Sequence, residues 1–565
     1  MNKKGPSCFH FYLFFFLLFI IYYKTMVSGT LIKSNYEVPL QMLKNIWQNT
    51  QLFPTGTSNK KKAVALTLGA TVALVCRLVF TFCYVPRNLR HLPTVSWLRL
   101  FLSILKLEDA TQRAKYVYGP AMKKGNGVYL INFPITWTVF VSEPKAAKAI
   151  LMKTDNFPKS RAVFDALGKN SAVSKFFGNE SVAVVNGEKW KNQRKVMNPA
   201  FHRAMPVKLF GRLMQKGFAI IDKQPDHEVG ALDFFQRLTL DALGNAGFGF
   251  DFGSLEDPNS VWTTTYETVR IGLRSPWTFM FPRLEWLFRR IIPARKRMAD
   301  SVDKLNGLLL EMIQKRRLAV QSPDYDASGP EHEKDLLTLM LEAEMRGEGF
   351  TTNEQLRSNI AVFFLAGHET TANTMSFCLY NLAMNKEVQE KARQEVIKVL
   401  GDDPVDVLPS IEELRQIPYL DMVLKENLRR YGPAAMTITR KAVEDFDMNG
   451  TFIPKGTSVV VEMNALHHNP EVWKNPEHFD PERFAPGNEH DVSHEGMTWI
   501  PFSSGSRGCI GQNFSMHEQR VFLTMLLRKY EWELPEDSIH RNGVKIGNFQ
   551  NAAPQSLRIK FHPRY

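Results

Sequence analysis

Residues 501–520 read Pro-Phe-Ser-Ser-Gly-Ser-Arg-Gly-Cys-Ile-Gly-Gln-Asn-Phe-Ser-Met-His-Glu-Gln-Arg, and Cys509 is the residue around which the string makes chemical sense. Ahead of it lies a loop of small residues, in which Gly505, Gly508 and Gly511 let the backbone approach a bulky flat ligand. Behind it, Phe514, Val521, Phe522, Met525 and Leu526 recur at the spacing of an apolar helix face, which places Cys509 just before a helix N-terminus. There the helix dipole and the Arg507 cation favour a thiolate and lower the thiol pKa. On its own, a cysteine in such a place fits a nucleophile, a metal ligand or a small buried hydrophobe.

The whole string separates these. Phe502, Gly505, Arg507, Cys509 and Gly511 match, in order and spacing, the heme-binding signature of the cytochromes P450, which this region closely resembles. The resemblance implies heme b, with Cys509 as axial ligand of the iron and Phe502, Gly505, Arg507 and Gly511 around the cofactor. A thiolate ligand donates electron density that favours O–O cleavage. The implied reaction inserts one oxygen atom of O2 into a C–H bond, using electrons from NADPH delivered by a reductase.

Three further motifs occur in family order. Trp190 and Arg194 lie four apart on one helix face and can both donate hydrogen bonds to a carboxylate; the corresponding family residues bind a heme propionate. Lys189, Lys191 and Lys195 alternate with them and leave the outer side of that helix basic, suited to an acidic reductase domain. Inside a long apolar helical pattern, Ala366, Gly367, Glu369 and Thr370 match the family motif A-G-x-[DE]-T. A kink there would free carbonyls, and Gly367 would leave room for dioxygen. O–O cleavage consumes two protons at a buried oxygen, so Glu369 is read as a relay toward solvent and Thr370 as the proton donor. Finally, Glu426 and Arg429 form the family motif E-x-x-R and, with Arg483 of Pro481-Glu-Arg-Phe484, imply a buried scaffold that ties the loop before the cysteine to the core. His368 and His517 lack a second ligand at metal spacing and are set aside as iron ligands, while His467 and His468 read as surface or helix-end residues.

Composition narrows the remainder. The 565 residues carry a formal charge of +14, but the basic residues are spread and no zinc-finger, RRM or homeodomain pattern appears, which argues against nucleic acid and for a membrane surface or an acidic partner. Five cysteines show no disulfide or zinc spacing. The apolar run 8–23 is short for a span, whereas 63–85, flanked by Lys60, Lys61, Lys62 and Arg87, has the length of a transmembrane helix with Arg77 as its one costly residue. The expected organisation is an N-terminal segment 1–62, an anchor 63–85, a basic, proline-containing hinge 86–95, and a heme-thiolate catalytic domain 96–565.

Alternating β-branched and aromatic residues predict a hairpin over 127–141 and a second small sheet from 437–441 and 457–462. Helical periodicity covers 232–243, 302–318 and 355–384, and 321–335 reads as a solvated loop. The fold class is mainly α with minor β: the cytochrome P450 fold with an N-terminal anchor. By family position, Phe164, Phe176, Phe177, Val362, Phe363, Phe364, Ala434, Met436 and Thr437 are candidate substrate-lining residues, and 276–282 a candidate membrane-facing stretch. The expected protein is a fungal-type monooxygenase of the endoplasmic reticulum membrane with a cytosolic catalytic domain. Its expected partners are NADPH–cytochrome P450 reductase, with cytochrome b5 as a second electron donor, and a lipophilic substrate (steroid, fatty acid or xenobiotic, the steroid favoured). Two alternatives share the residues: a heme-thiolate peroxide isomerase or dehydratase, against which the Glu369-Thr370 pair counts, and a non-catalytic heme-binding protein.

Overall fold

The alternation over 127–141 forms the expected hairpin, whose two strands, β1 (Val128–Asn132) and β2 (Trp137–Val141), pair antiparallel with Val128 opposite Val141. The computed structural model describes residues 84–565 except 107, 109, 133–135, 204–205, 274–284, 330–333, 350–351, 492–495 and 548–552. The apolar run 8–23, residues 63–83 of the expected anchor and the stretch 276–282 therefore lie outside the described residues. No helix among the described residues is long and apolar enough to cross a membrane.

The later strands are β3 (Glu228–Gly230), β4 (Arg440–Lys441), β5 (Phe446–Met448), β6 (Thr451–Ile453), β7 (Ser458–Val461), β8 (Tyr530–Glu533) and β9 (Arg558–Pro563). The segments expected to make a second small sheet instead join the first, in the order β1-β2-β7-β4, with β2 and β7 parallel and Thr138 opposite Ser458. Parallel partners need a long crossover, so no local pattern announces the pairing. A three-stranded sheet, β3-β9-β8, and the β5-β6 hairpin complete the strands among the described residues. The basic stretch 86–95 is packed onto this sheet. Leu89 and Leu92 are buried against the hairpin, and Leu130 donates its N–H to the Pro93 carbonyl while accepting from Val95.

The helices that bear on the site are α1 (Pro144–Met152), α2 (Gly187–Arg203), α3 (Ala231–Leu243), α4 (Val261–Leu273), α5 (Pro293–Val320), α6 (Asn353–Met384), α7 (Pro418–Arg430), α8 (Met463–His467) and α9 (Gln512–Lys529). α6 is the axle of the helical core. Thr352 caps it through a hydrogen bond from the Gln355 N–H at 3.2 Å, and it is buried on nearly every side, as a helix without a polar face must be. Its backbone is helical at every residue from Asn353 to Met384, through the stretch 366–370 where a kink is expected. Gly367 has a packing reason of its own as well: a Cβ there would stand 2.9 Å from the Leu243 side chain of α3, which crosses at that point.

Candidate functional site

The cysteine loop is set by its own hydrogen bonds. Cys509 donates its N–H to the Phe502 carbonyl at 2.8 Å and Gly508 to that of Gly505 at 2.9 Å. Gly505 adopts φ +69°, and a Cβ there would sit 2.6 Å from the Leu151 carbonyl oxygen of α1, so only glycine fits. Arg194 of α2 donates from Nη2 to the Gly508 carbonyl at 3.1 Å and fixes the loop's outer side. The Arg507 guanidinium lies 3.9 Å above the Trp190 ring and donates to Val185 O and Asn186 Oδ1. Asn186 in turn exchanges two hydrogen bonds with the Lys159 backbone.

Cys509 is surrounded by protein and yet accessible to a water-sized sphere, which holds only for a residue facing an interior space. Burial pushes its thiol up, and this outweighs the Gly511 N–H, Arg194 and Lys159, which pull it down. The expectation of a lowered thiol pKa is therefore corrected: desolvation wins over the helix terminus, and a bound metal cation would be needed to deprotonate it outright. α6 shows a matching opening. In the middle of this mostly enclosed helix, Ala366 is exposed, its neighbours Leu365 and Gly367 are half-buried, and so are Val362 and Thr370 one turn to either side. Phe201 links the two regions, with its ring 3.9 Å from where a Gly511 Cβ would lie and edge-on to Phe363 at 5.1 Å.

Two functional residues were not legible in the sequence. Lys159 and Arg440 join Arg194 and Arg507 in a cluster of four mutually repelling cations beside Cys509. Burial, followed by Arg507, Arg440 and Arg194, pulls the Lys159 ammonium down to about 7, with Cys509 acting the other way. Burial likewise brings Arg440 and Arg507 to about 10, and Arg440 and Arg194 add to the effect on Arg507. The carboxylate that bears on Arg507 is the exposed Asp155. Arg194 Nε and Arg507 Nη1 are buried without a hydrogen-bond partner. Half-buried and buried cations, two of them with orphaned donors and with no balancing acid beyond the exposed Asp155 among the described residues, form a site for a large anion.

Residues 92–551 match the family model described as Cytochrome P450. The chain belongs to the cytochrome P450 family. Among curated relatives it is 29% identical over 513 residues to human cytochrome P450 4F8, covering 88% of this chain and 95% of that one. It is 32% identical to rat cytochrome P450 4F5, over 64% of this chain and 70% of the relative. The heme domain of cytochrome P450DA superposes with a TM-score of 0.68 at 22% identity, covering 84% of this chain and 97% of that structure. This P450 is thus a mainly helical heme-thiolate monooxygenase whose cofactor is heme b and whose reaction uses O2 and NADPH-derived electrons. Heme b, a flat apolar ring bearing two carboxylates, fits what the residues offer: an exposed Cys509 among surrounding protein, a half-open stripe on α6, and four cations, two of them with an orphaned donor.

The remaining candidates fall as follows. Glu426, Arg429 and Arg483 do converge. Arg429 donates to both Glu426 oxygens at 2.7 and 2.8 Å, Arg483 Nε stands 3.6 Å from Glu426, and all three are buried. Arg429 also donates to the carbonyls of His467 and Pro476, both at 2.7 Å, while Arg483 bonds Glu489. Glu369 is buried and paired with Arg270 of α4 at 3.4 Å, and Arg270 also pairs with the half-exposed Glu267. The Thr370 hydroxyl donates to the Ala366 carbonyl at 2.8 Å. Phe164 and Phe177 are half-buried and meet edge-on at 5.8 Å, but Phe176 is wholly enclosed in the core and does not line a cavity, because the turn of its short helix (Ala172–Phe177) points it inward. Of 362–364, Val362 alone is half-buried; Phe363 packs on Phe201, and Phe364 is in the core. Ala434, Met436 and Thr437 are half-buried, and Thr437 Oγ1 accepts from the Val461 N–H of β7. His368 is locked in the core, its ring against Tyr266 at 5.0 Å.

His467 is not a surface residue. It is 2% exposed, and its Nε2 accepts the Ile500 N–H at 2.9 Å, which ties α8 to the run leading into the cysteine loop. Burial, then the His468 and Arg429 charges, lowers its pKa to about 3. Between the unfolded value near 6.5 and 3, the unfolded chain binds the extra proton, so this stabilisation is full above about pH 6.5 and is lost as pH falls through that window. The slope is about 1.4 kcal/mol per pH unit. Thermal melts between neutral and mildly acidic pH should fall accordingly, and His467→Gln should flatten that part of the profile.

Proposed function

We propose that this P450 hydroxylates a lipophilic substrate (a steroid, fatty acid or xenobiotic) at the endoplasmic reticulum membrane, with electrons from NADPH–cytochrome P450 reductase and cytochrome b5 as a second donor. The observation that carries the reading is the exposed Cys509, whose loop is joined through Phe201 to α6 and its half-open stripe Val362, Ala366 and Thr370. Cys509 would be the axial thiolate, and Lys159, Arg194, Arg440 and Arg507 would hold the heme carboxylates, with Trp190 supporting Arg507 from below. When bound, thiolate-ligated heme supplies the activation of O2.

The protein's own work is binding, water exclusion and proton handling. Thr370 Oγ1, held by the Ala366 carbonyl, keeps a second lone pair and a rotatable proton for the open side of the helix. Glu369 can exchange Arg270 for a water route through Glu267. Phe164, Phe177, Val362, Phe363, Ala434, Met436 and Thr437 supply a mostly apolar lining that favours a lipophilic substrate. Lys189, Lys191 and Lys195 are exposed on α2; Lys189 pairs with Glu180 and Lys191 with Glu188, and this mixed but basic face suits an acidic electron donor. The sequence 63–85 supports a membrane anchor.

The deciding experiment is the spectrum of the reduced, carbon-monoxide-treated full chain. A thiolate-type Soret band is expected, and a nitrogen-ligand band or no pigment would remove the reading. Thr370→Ala should raise several-fold the share of NADPH electrons lost as peroxide, measured against product; unchanged coupling would remove the proton-donor role.

A further inference from the structure

Away from the cysteine loop, the outer ends of α4 and α5 enclose a cavity of about 320 Å³ that no residue of the heme site lines. That volume lies within the range of small-molecule sites, roughly 300–1,000 Å³. Three aromatic residues, Phe248, Phe250 and Trp262, form one wall, and Leu308, Met312 and Ala319 of α5 form the other. Phe248, Trp262 and Met312 are buried, whereas Ala319, Glu311 and Lys315 are exposed, so the mouth opens beside these last three.

The backbone and the charges around this space limit what can enter it. α3 runs on into a single π turn, Gly244–Phe248, that ends at Gly249 with φ +59°. Such turns are rare and cluster at functional sites. A Cβ on Gly249 would overlap the Arg316 guanidinium, which donates to the Gly249 carbonyl at 2.8 Å and pairs with Asp335 at 3.2 Å. Lys315 pairs with Glu311 at 2.8 Å. The charges of the lining are thus matched before anything binds, and an ionised ligand would have to displace one of these partners. Arg316 still offers a cation to the face of an aromatic ring. With aromatic and aliphatic walls, the cavity suits a neutral, flat, polycyclic aromatic molecule.

Its walls are also part of the framework of the oxygen site. Trp262 lies in the first turn of α4, and Arg270, about two turns on, holds Glu369 of α6 at 3.4 Å. Phe248 lies parallel to Phe364 of α6 at 6.5 Å, and Phe252 meets both Trp262 at 5.0 Å and Phe364 at 5.2 Å. Because close-packed interiors transmit strain, the spacing of α4 from α5 that sets the size of the cavity also bears on Arg270 against Glu369.

We propose that this cavity is an effector site for a neutral polycyclic aromatic molecule, whose presence alters the grip of Arg270 on Glu369 and with it proton delivery at the oxygen site. The effector role rests on the reading of Glu369 given above; the binding does not. A ligand moves α4 only by binding one of its positions better than another, and a cavity walled by α4 on one side and α5 on the other meets that condition.

Phenanthrene is the probe, titrated by its fluorescence into the heme-loaded full chain with a bulky azole on the iron, so that the oxygen site is closed. A saturable site is expected. Ala319→Phe, which fills the mouth from an exposed position, should weaken it about tenfold or more while leaving basal activity and the carbon-monoxide spectrum unchanged. Phenanthrene carboxylate should bind about tenfold more weakly than phenanthrene, since its charge finds no free partner. In the azole-free enzyme turning over a lipophilic substrate, phenanthrene should change the share of NADPH electrons lost as peroxide several-fold in the wild type and not in Ala319→Phe. No saturable site, equal binding in Ala319→Phe, a carboxylate that binds as tightly, or a peroxide share that does not respond overturns the proposal. In the last case Glu369→Gln tells the two readings apart: if that variant uncouples, the role of Glu369 stands and the effector site falls alone; if it does not, both fall.

Discussion

Glu426→Ala should yield a chain that is synthesised but carries no heme. Its carboxylate accepts both arms of Arg429 and the Asp480 N–H at 3.0 Å, and it faces Arg483, in a place with no access to water. Removing it leaves the Arg429 guanidinium buried without its acid, while Arg483 keeps Glu489, a loss of about 3–5 kcal/mol. That is a large part of a domain's net stability of roughly 5–15 kcal/mol. The damage reaches the cofactor because Arg429 holds the carbonyls of His467 and Pro476, and His467 holds Ile500, the residue before the loop that ends at Cys509. Heme content per chain, read as pigment against total protein, checks this. A variant with full heme would show that the triad is not what positions the loop. Glu426→Gln should recover part of the content, since it keeps hydrogen bonds without the charge.

Lys159→Met is expected to change the protein in opposite directions with and without heme. Among the described residues the Lys159 amine has no carboxylate partner, and Arg507, Arg440 and Arg194 repel it. In the heme-free chain the substitution therefore removes a repulsion and should raise the melting temperature. The gain should be greatest at about pH 7 and below, where the wild-type amine is charged. Because its folded pKa, about 7, lies below its unfolded one, wild-type stability climbs as pH rises from there toward about 10.5, and the two proteins should converge at alkaline pH. In the heme-loaded chain, a charge-assisted hydrogen bond to a carboxylate is lost, worth about 1.5–3 kcal/mol, so heme should be released about tenfold to a hundredfold more readily. Heme transfer to an acceptor globin, alongside melts of the heme-free chain, measures both. A variant that destabilised the heme-free chain would show the amine to be making bonds rather than awaiting an anion.

What could be read from the sequence was what is local. The cysteine loop, the Trp190–Arg194 turn and the Glu426–Arg429 turn are short motifs whose geometry follows from their own spacing. The β5-β6 hairpin was also readable: Asn449-Gly450 is a strong two-residue turn signal, and both residues take positive φ, 51° and 82°. What could not be read is distant in the chain. Lys159 and Arg440 look like ordinary basic residues until Lys159 and Arg440 meet in an isolated bridge beside Asn186 and Arg507. Gly367 also packs at the crossing of α3, a contact that no local pattern announces. The acidity of Cys509 was misjudged because dipole and charge are visible in a sequence and desolvation is not. His467 erred for the same reason, since its burial depends on a strand and a loop that close over it.

The parallel pairing of β2 with β7 and the antiparallel pairing of β3 with β9, both between segments far apart in the chain, set a condition on biosynthesis. The β1-β2 hairpin cannot complete its sheet until residues 458–461 have left the ribosome, and Glu228–Gly230 must wait for Arg558–Pro563, far later in the chain. Contacts so far apart in sequence form slowly and leave apolar edges uncovered meanwhile. A chain held in that state is exposed to misfolding, and the heme site cannot be complete until Cys509, the last in sequence of the thiol and the four cations, has left the ribosome.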